Sequence, residues 1–226
     1  MTLLEKKTSI RRSIMIGTAA FVLSLSGTGH AFPYHAAHIN PGIPSLSVVT
    51  VSTEDVGMGA QKFIDGMAQR ALDFLANTTL SQEQKTNEFR KLLQDSFDLE
   101  TIGRFALGRY WRTATPEQRK EYQKLFREMV VQVYSERFKG YEGQHMETRS
   151  YRIDGDNDTI VTSFIVPKDD AEIQVDWRVR YKNGRYQIVD VIVEGVSMSV
   201  TQRSDFSSTI QRGGGDIEVL FAHLKQ

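Results

Sequence analysis

Asp154, Asp156 and Asp158 alternate along the chain in the way that calcium ligands do at the start of a helix–loop–helix site. Such a loop needs glycine at its sixth position and a bidentate glutamate at its twelfth. Those positions hold Thr159 and Ile165, so the triplet reads as a polar turn between strands. His35 and His38 have a spacing that can share a metal, and His30 lies close by. No carboxylate or periodic framework accompanies them, and solvated side chains are the expectation. His145 and His223 have no serine motif to serve, and the 226 residues include no cysteine. That absence removes disulfides, thiolate nucleophiles and cysteine metal sites together. No nucleophile elbow, phosphate loop, dinucleotide glycine pattern or H-E-x-x-H pair is present. Glu194, beside Gly195 at the end of an apolar run, is the carboxylate with most potential for proton transfer. Lacking a second titratable group in its motif, it is expected to bond backbone at a strand end. Tyr110-Trp111-Arg112 has the composition of a base-stacking cluster, but the formal charge of zero provides no field for a polyanion. An aromatic anchor at a helix end is the expectation there. The residues therefore point to a protein that is not an enzyme, with no cofactor, no metal and no nucleic acid partner.

The elements that would position these groups begin with a processing segment. Lys6, Lys7, Arg11 and Arg12 precede the apolar run from Ile14 to Leu25, and Gly29-His30-Ala31 supplies small residues where a peptidase cuts. That run is shorter than the ~20 residues a membrane span requires. Residues 1–31 are read as a signal peptide, exported by general secretion. Arg11-Arg12 leaves the twin-arginine route open, although Ser13-Ile14-Met15 fits it poorly. Cleavage after Ala31 leaves 24 basic and 27 acidic side chains, and a soluble protein. Residues 32–57, with Pro33, Pro41 and Pro44 and no clear period, read as a flexible leader. The domain proper is expected over residues 58–226.

Phe63, Ile64, Met67, Ala68, Ala71, Leu72 and Leu75 recur at three and four, the period of an amphipathic helix. Ser81-Gln82-Glu83-Gln84 matches a capping box, and Phe89, Leu92 and Leu93 form the apolar face behind it. Asp98 is placed to cap a shorter helix through Ile102 and Phe105. Thr115-Pro116-Glu117-Gln118 combines an N-cap, a proline at the first helical position and glutamine three residues on. The helix behind it presents Tyr122, Leu125, Phe126, Met129, Val133, Tyr134 and Phe138, and Gly140 ends it. The period then changes to two. Strands are expected over 145–153, 159–166, 171–181 and 185–193, with Ile173, Val175, Trp177, Val179 and Tyr181 inward and Gln174, Asp176, Arg178 and Arg180 outward. Asn183-Gly184 is a two-residue hairpin signal. Asp190 interrupts the apolar fourth strand, and helix returns at about 203–212 and after Asp216. The expected class is α+β: amphipathic helices packed on a curved antiparallel sheet of about four strands, enclosing an apolar pocket.

Two stretches carry a resemblance. Ala106-Leu107-Gly108-Arg109-Tyr110-Trp111-Arg112-Thr113-Ala114-Thr115-Pro116-Glu117-Gln118-Arg119 resembles the motif L-G-x-Y-[YW]-x-x-[AS]-T-P-x-Q-R of the MlaC family, the toluene-tolerance auxiliary proteins of ABC lipid transporters. Phe126-Arg127 and Tyr141-Glu142-Gly143-Gln144 fit the same family. Glu194-Gly195-Val196-Ser197-Met198, followed by Arg203, resembles its second signature, E-G-V-S-M. The similarity runs from about Phe63 to Leu224. Within the family, Val175-Asp176-Trp177-Arg178 and Ser197 through Phe206 resemble the hopanoid-associated branch, HpnM.

The resemblance implies a periplasmic carrier that holds phospholipid or hopanoid in an apolar pocket. It also implies two membrane partners, an inner-membrane MCE–ABC transporter and an outer-membrane lipoprotein complex. Phe105, Met129, Val133, Val191, Val193 and Met198, on faces next to the two motifs, are the candidate lipid-lining residues. Arg104, Arg109 and Arg112 are the candidates for docking, with Asp98, Glu100 and Glu117 as alternative partners within the fold. Rival expectations are a periplasmic interaction or scaffold protein with a filled core, and an enzyme acting on lipid with a titratable pair at a pocket mouth.

Overall fold

The computed structural model describes residues 53–136, 141, 143–168 and 170–225. The signal-peptide reading, most of the leader, His30, His35, His38, Phe138 and Gly140 lie outside those residues.

Helix α1 spans Thr53–Ala76, so it begins within the stretch read as leader. Glu54 and Asp55 in its first turn complement the helix dipole, and Gly57, Ala60, Ile64, Met67, Ala68 and Phe74 form its buried side. Helix α2, Gln82–Ser96, starts with both halves of the capping box at Ser81 and Gln84. Helix α3, Leu99–Leu107, is capped by Asp98, whose side chain accepts from the Thr101 amide. A single turn, α4 (Tyr110–Thr113), leads to α5 (Pro116–Ser135), where Thr115 and Gln118 complete the second capping box.

Strands β1 (His145–Asp154), β2 (Asp158–Val166), β3 (Ile173–Lys182), β4 (Arg185–Val193) and β5 (Val196–Ser197) pair antiparallel in chain order. The two-residue β5 makes a fifth strand, where about four were expected. Asn183 and Gly184 both have positive φ, as a tight I′-type hairpin requires. Helix α6 (Met198–Arg212) starts earlier than its sequence period indicated, because Ser197 caps it by accepting from the Val200 amide. Helix α7, Glu218–Leu224, closes the chain.

The register places Val161, Val175, Trp177, Val179, Ile188, Val191 and Val193 on one face of the sheet. Helix α1 lies across that face over β1, β2 and β3. A core of Ala60, Ile64, Met67, Phe74 and Leu92 with Val161, Val179 and Ile188 joins helix to sheet. The opposite face is ionic. Arg178 pairs with Asp154, Arg180 holds Asp158 at 2.7 Å, and Arg149 bridges Glu147 and Glu172. The remaining helices gather at the β4 edge, where Phe97 bridges to Ile188. They have their own core of Leu107, Tyr122, Leu125, Phe126, Phe206, Ile210, Leu220 and Phe221.

Three apolar residues expected to face inward are exposed. Phe105 is 40%, Val133 45% and Ile173, at the start of β3, 38% exposed. On α3 the buried stripe is Leu99, Gly103, Ala106 and Leu107, which leaves Phe105 on the outer side. On α5 the stripe shifts along the helix. Tyr122, Leu125 and Phe126 enter the helical core, whereas Val131 joins Leu93 and Leu99 in a small cluster against α2.

Two glycines explain how closely α1 approaches the sheet. A Cβ at Gly57 would run into the Tyr151 ring, and one at Gly59 into Tyr186, whereas Gly66 faces open space. Alanine normally favours a helix over glycine by about 1 kcal/mol. Gly66→Ala should therefore raise the unfolding free energy by about 0.5–1 kcal/mol. Gly57→Ala should lower it by about 1–2 kcal/mol, since overpacking outweighs propensity. Denaturant unfolding of both variants checks the sign difference.

The ionic face predicts acid lability. The Arg178 guanidinium holds the Asp154 carboxyl below the ordinary carboxylate range, and Arg149 does the same for Glu147 and Glu172. A depressed folded value means that this stabilisation is complete above the unfolded values of about 4 and is lost as pH falls through the folded ones. Melting temperature should fall below about pH 4, and less steeply in Arg178→Gln.

Candidate functional site

Asp154, Asp158, His145 and Glu194 are each engaged in structure. Asp154 and Asp158 are held by Arg178 and Arg180, and among the described residues no cluster of three metal-ligating side chains occurs. His145 lies 3.2 Å from Glu147 on β1. Glu194, with φ of 50°, accepts from the Gln174 amide at 2.6 Å while its own amide donates to the Gln174 carbonyl at 3.0 Å. It is a clamp between β3 and the turn after β4.

Asp190 is the carboxylate to which the sequence gave no role. It is buried, and three donors converge on it: the Ser197 hydroxyl at 2.6 Å, the Ser199 amide at 3.1 Å and its neighbour Val191's amide at 2.9 Å. The signal was present as one carboxylate in an otherwise apolar strand. Its bonds fold the Glu194–Met198 segment back onto β4 and set the direction in which α6 leaves.

The first motif is organised around Trp111. Arg119 stacks on the Trp111 ring, 5.5 Å from its centroid, and donates to the Trp111 carbonyl at 2.8 Å and the Arg112 carbonyl at 3.3 Å. Trp111 and Tyr110 pack against the helical core. At its centre Tyr122 is fully buried, donates to the Gly103 carbonyl at 2.8 Å, and has its phenol pKa pushed up by burial.

The two motifs meet in space. Helix α6 packs on α3, and a Cβ at Gly108 would lie 2.9 Å from Nε of Arg203. Gly108 also has a φ of 59°, so both the backbone and the approach of Arg203 favour glycine. Arg203 in turn stands over the exposed Phe105 ring at 5.1 Å. Arg104 stands over Trp111 at 5.9 Å and Arg109 over Tyr110 at 5.0 Å. Among the described residues, Arg104, Arg109, Arg112 and Arg203 form no salt bridge within 4.0 Å, so Asp98, Glu100 and Glu117 do not pair with them.

The six candidate lining residues do not gather in one core. Met129 packs against the helical core, and Val191 against the α1–sheet core. Val193 and Met198 are half-buried on either side of the Glu194 turn, while Phe105 and Val133 are exposed. Two concavities open elsewhere, and none of the six lines either. One of about 190 Å³ lies between α2 and α5, over Leu93, Leu99 and Val131 with Arg90, Lys124 and Arg127 at its rim. The other, about 340 Å³, lies between the end of α1 and α2, over Phe74, Leu80 and Leu92.

Comparison with known proteins bears on this arrangement. The family profile described as MlaC protein matches residues 65–226, which include both motifs and their meeting point. The chain belongs to the MlaC family. Among curated members, it is 26% identical over 172 residues to the intermembrane phospholipid transport system binding protein MlaC of Haemophilus influenzae, covering 71% of this chain and 79% of that protein. It is 24% identical over 182 residues to the toluene tolerance protein ttg2D of Pseudomonas putida, covering 77% of this chain and 80% of that one. A solved phospholipid-binding protein of Ralstonia solanacearum, in complex with a phospholipid, superposes with a TM-score of 0.64 at 22% identity, covering 74% of this chain and 94% of that chain. The two chains share a fold.

Asp190 gives this site a test. Asp190→Ala would strand three donors in a buried place, and loss of about 2–4 kcal/mol of stability is expected. Glu194→Ala, at an exposed turn, should cost less than about 1.5 kcal/mol. Equal effects in thermal unfolding would count against the anchoring role of Asp190.

Proposed function

We propose that this protein is a periplasmic carrier that encloses the acyl chains of a phospholipid and hands the lipid between membranes without altering it. The observation that carries the reading is that helices α3 to α7 build a core separate from the one that α1 and α2 share with the sheet. Helix α5 packs mainly on α2, α3 and α7, and the helical core includes no strand residue. The sheet's apolar face continues past the α1 contact to Val175 and Val193, which belong to none of the three clusters. The tails are proposed to enter where these cores part, with Phe105, Met129, Val133, Val191, Val193 and Met198 as the proposed lining. Parting them breaks few shared core contacts, and flexible methionines accommodate varied chains.

The energetics suit a carrier. Burying a methylene is worth about 0.8 kcal/mol, so two long acyl chains have a gross cost of order 20 kcal/mol in water. An aqueous gap then blocks free diffusion, and handover requires only a partner that offers competing burial. The names of the relatives, an intermembrane phospholipid transport binding protein and a phospholipid-bound structure, support the same ligand class. The proposed partners are an inner-membrane MCE–ABC transporter and an outer-membrane lipoprotein complex. Among the described residues no helix is long and apolar enough to cross a membrane.

Organic extraction and mass spectrometry of the purified protein should recover about one equivalent of phospholipid. A hopanoid would instead place the chain in the HpnM branch. Monodisperse protein that holds no lipid and takes none from vesicles would favour a scaffold with a filled core, and lipid returned chemically changed would favour an enzyme. Val193→Trp should reduce uptake with little loss of stability if the cores part there. In a fixed core the same change overpacks and costs about 1–3 kcal/mol.

A further inference from the structure

We propose that the arginine–aromatic patch built by α3, α4 and α6 docks directly on the anionic head-group surface of a phospholipid bilayer. The inference rests on the carrier reading and names the surface that such a carrier would bring to a membrane.

The patch concentrates positive charge on a chain whose formal net charge is zero. Arg104, Arg109, Arg112 and Arg203 are all exposed, and none forms an ion pair among the described residues. Glu100 and Asp205 stand on the same helices. Glu100 is one turn before Arg104 without pairing to it, and Asp205, two residues from Arg203, points to another side of α6. The arginines on the outer face of the sheet contrast with these, since Arg149, Arg178 and Arg180 each hold a carboxylate. Cations left without internal partners are available to an external anion, and the guanidinium fork suits phosphate.

Apolar groups are interleaved with the charges. Phe105 is 40% exposed beneath Arg203, and Val200, one helical turn before Arg203 on α6, is 55% exposed. Tyr110 and Trp111 are half-buried beside Arg109 and Arg104. Aromatic rings and long cationic side chains together are the residues that settle at the head-group level of a bilayer. Both described concavities lie elsewhere, between α1 and α2 and between α2 and α5. A patch whose arginines come from three separate segments of chain suits a broad fluid surface with mobile phosphates better than a partner with fixed acceptors. Phe105 is also one of the proposed lining residues, so docking there would bring the lipid site towards the surface that receives the lipid.

Flotation of the purified exported protein with vesicles tests this. Vesicles of phosphatidylcholine alone are compared with phosphatidylcholine–phosphatidylglycerol vesicles in low and high salt. The expected result is salt-sensitive binding to the anionic vesicles, stronger than to the zwitterionic ones. Each surface arginine is worth about fivefold in partitioning, so Arg104→Ala with Arg203→Ala should weaken binding about 25-fold. Arg112→Ala, which alters one exposed side chain on α4, should weaken it about fivefold and covers the case in which the double variant misfolds. Val200→Ser should weaken binding while leaving its salt dependence in place. Equal binding to both vesicles, or patch variants that float like the parent, would overturn the proposal. If those variants instead lose only transfer to membranes bearing a transporter, the patch meets an acidic protein and the proposal is again overturned. Bound lipid, measured on the same samples, separates the two readings: lipid-loaded protein that does not float removes the docking surface alone, and lipid-free protein that floats removes the carrier alone.

Discussion

A buried carboxylate sits where the two halves of this fold join. Removing Asp190 from water is unfavourable unless hydrogen bonds replace the lost hydration, and three donors within two turns of chain supply them. Satisfying that one charge requires the segment after β4 to double back at Glu194-Gly195, both in positive φ, and to offer Ser197 and the Ser199 amide. Helix α6 then starts with Ser197 as its cap and runs against α3. Arg203 comes to rest at Gly108 as a consequence. The position of Arg203, the contact between the two motifs and the closing of the sheet by β5 all follow from how one strand carboxylate is solvated.

The separation of the cores follows from the same arrangement. Helix α1 covers the sheet closely because Gly57 and Gly59 admit Tyr151 and Tyr186, and this fills one half of the apolar face. The other helices build their core around Tyr122 and Phe206 beside the β4 edge rather than on the face itself. A sheet packed uniformly by all its helices would resist opening, because interiors are dense and shared contacts break together. Two cores joined along an edge have a line of weaker cohesion between them, and a ligand with large apolar area can supply the burial that is lost when that line parts.

Local signals in the sequence carried most of the fold. Both capping boxes, the Asp98 cap and the Asn183-Gly184 hairpin are decided by neighbours a few residues apart, and each appears where the pattern placed it; along β3, Val175 and Val179 are buried as expected, whereas Ile173 is exposed. The discrepancies have non-local causes. Phe105 and Val133 satisfy a helical period, but which side of α3 or α5 is buried depends on where α6 and α2 lie. Helix α6 began early because its cap is fixed by Asp190, seven residues before Ser197. Of the candidate site, Arg104, Arg109 and Arg112 were legible as a cluster around the first motif. Arg203 was visible within the second motif, yet its place beside Phe105 could only come from the packing of two helices about 100 residues apart in sequence.

Arginine has two distinct uses in this protein, and the supply of carboxylates decides between them. On the outer face of the sheet, cross-strand register brings Asp154 and Asp158 opposite Arg178 and Arg180, so charge is neutralised locally. Arg104, Arg109 and Arg203 instead have aromatic faces as partners, which hold a guanidinium in place by cation–π attraction without neutralising it. Exposed ion pairs contribute only about 0–1 kcal/mol each, so leaving four arginines unpaired forgoes little stability. What it retains is net positive potential and an ordered set of donors beside apolar groups. A surface of that kind costs the folded protein little, and its energy is realised only when an external anion arrives.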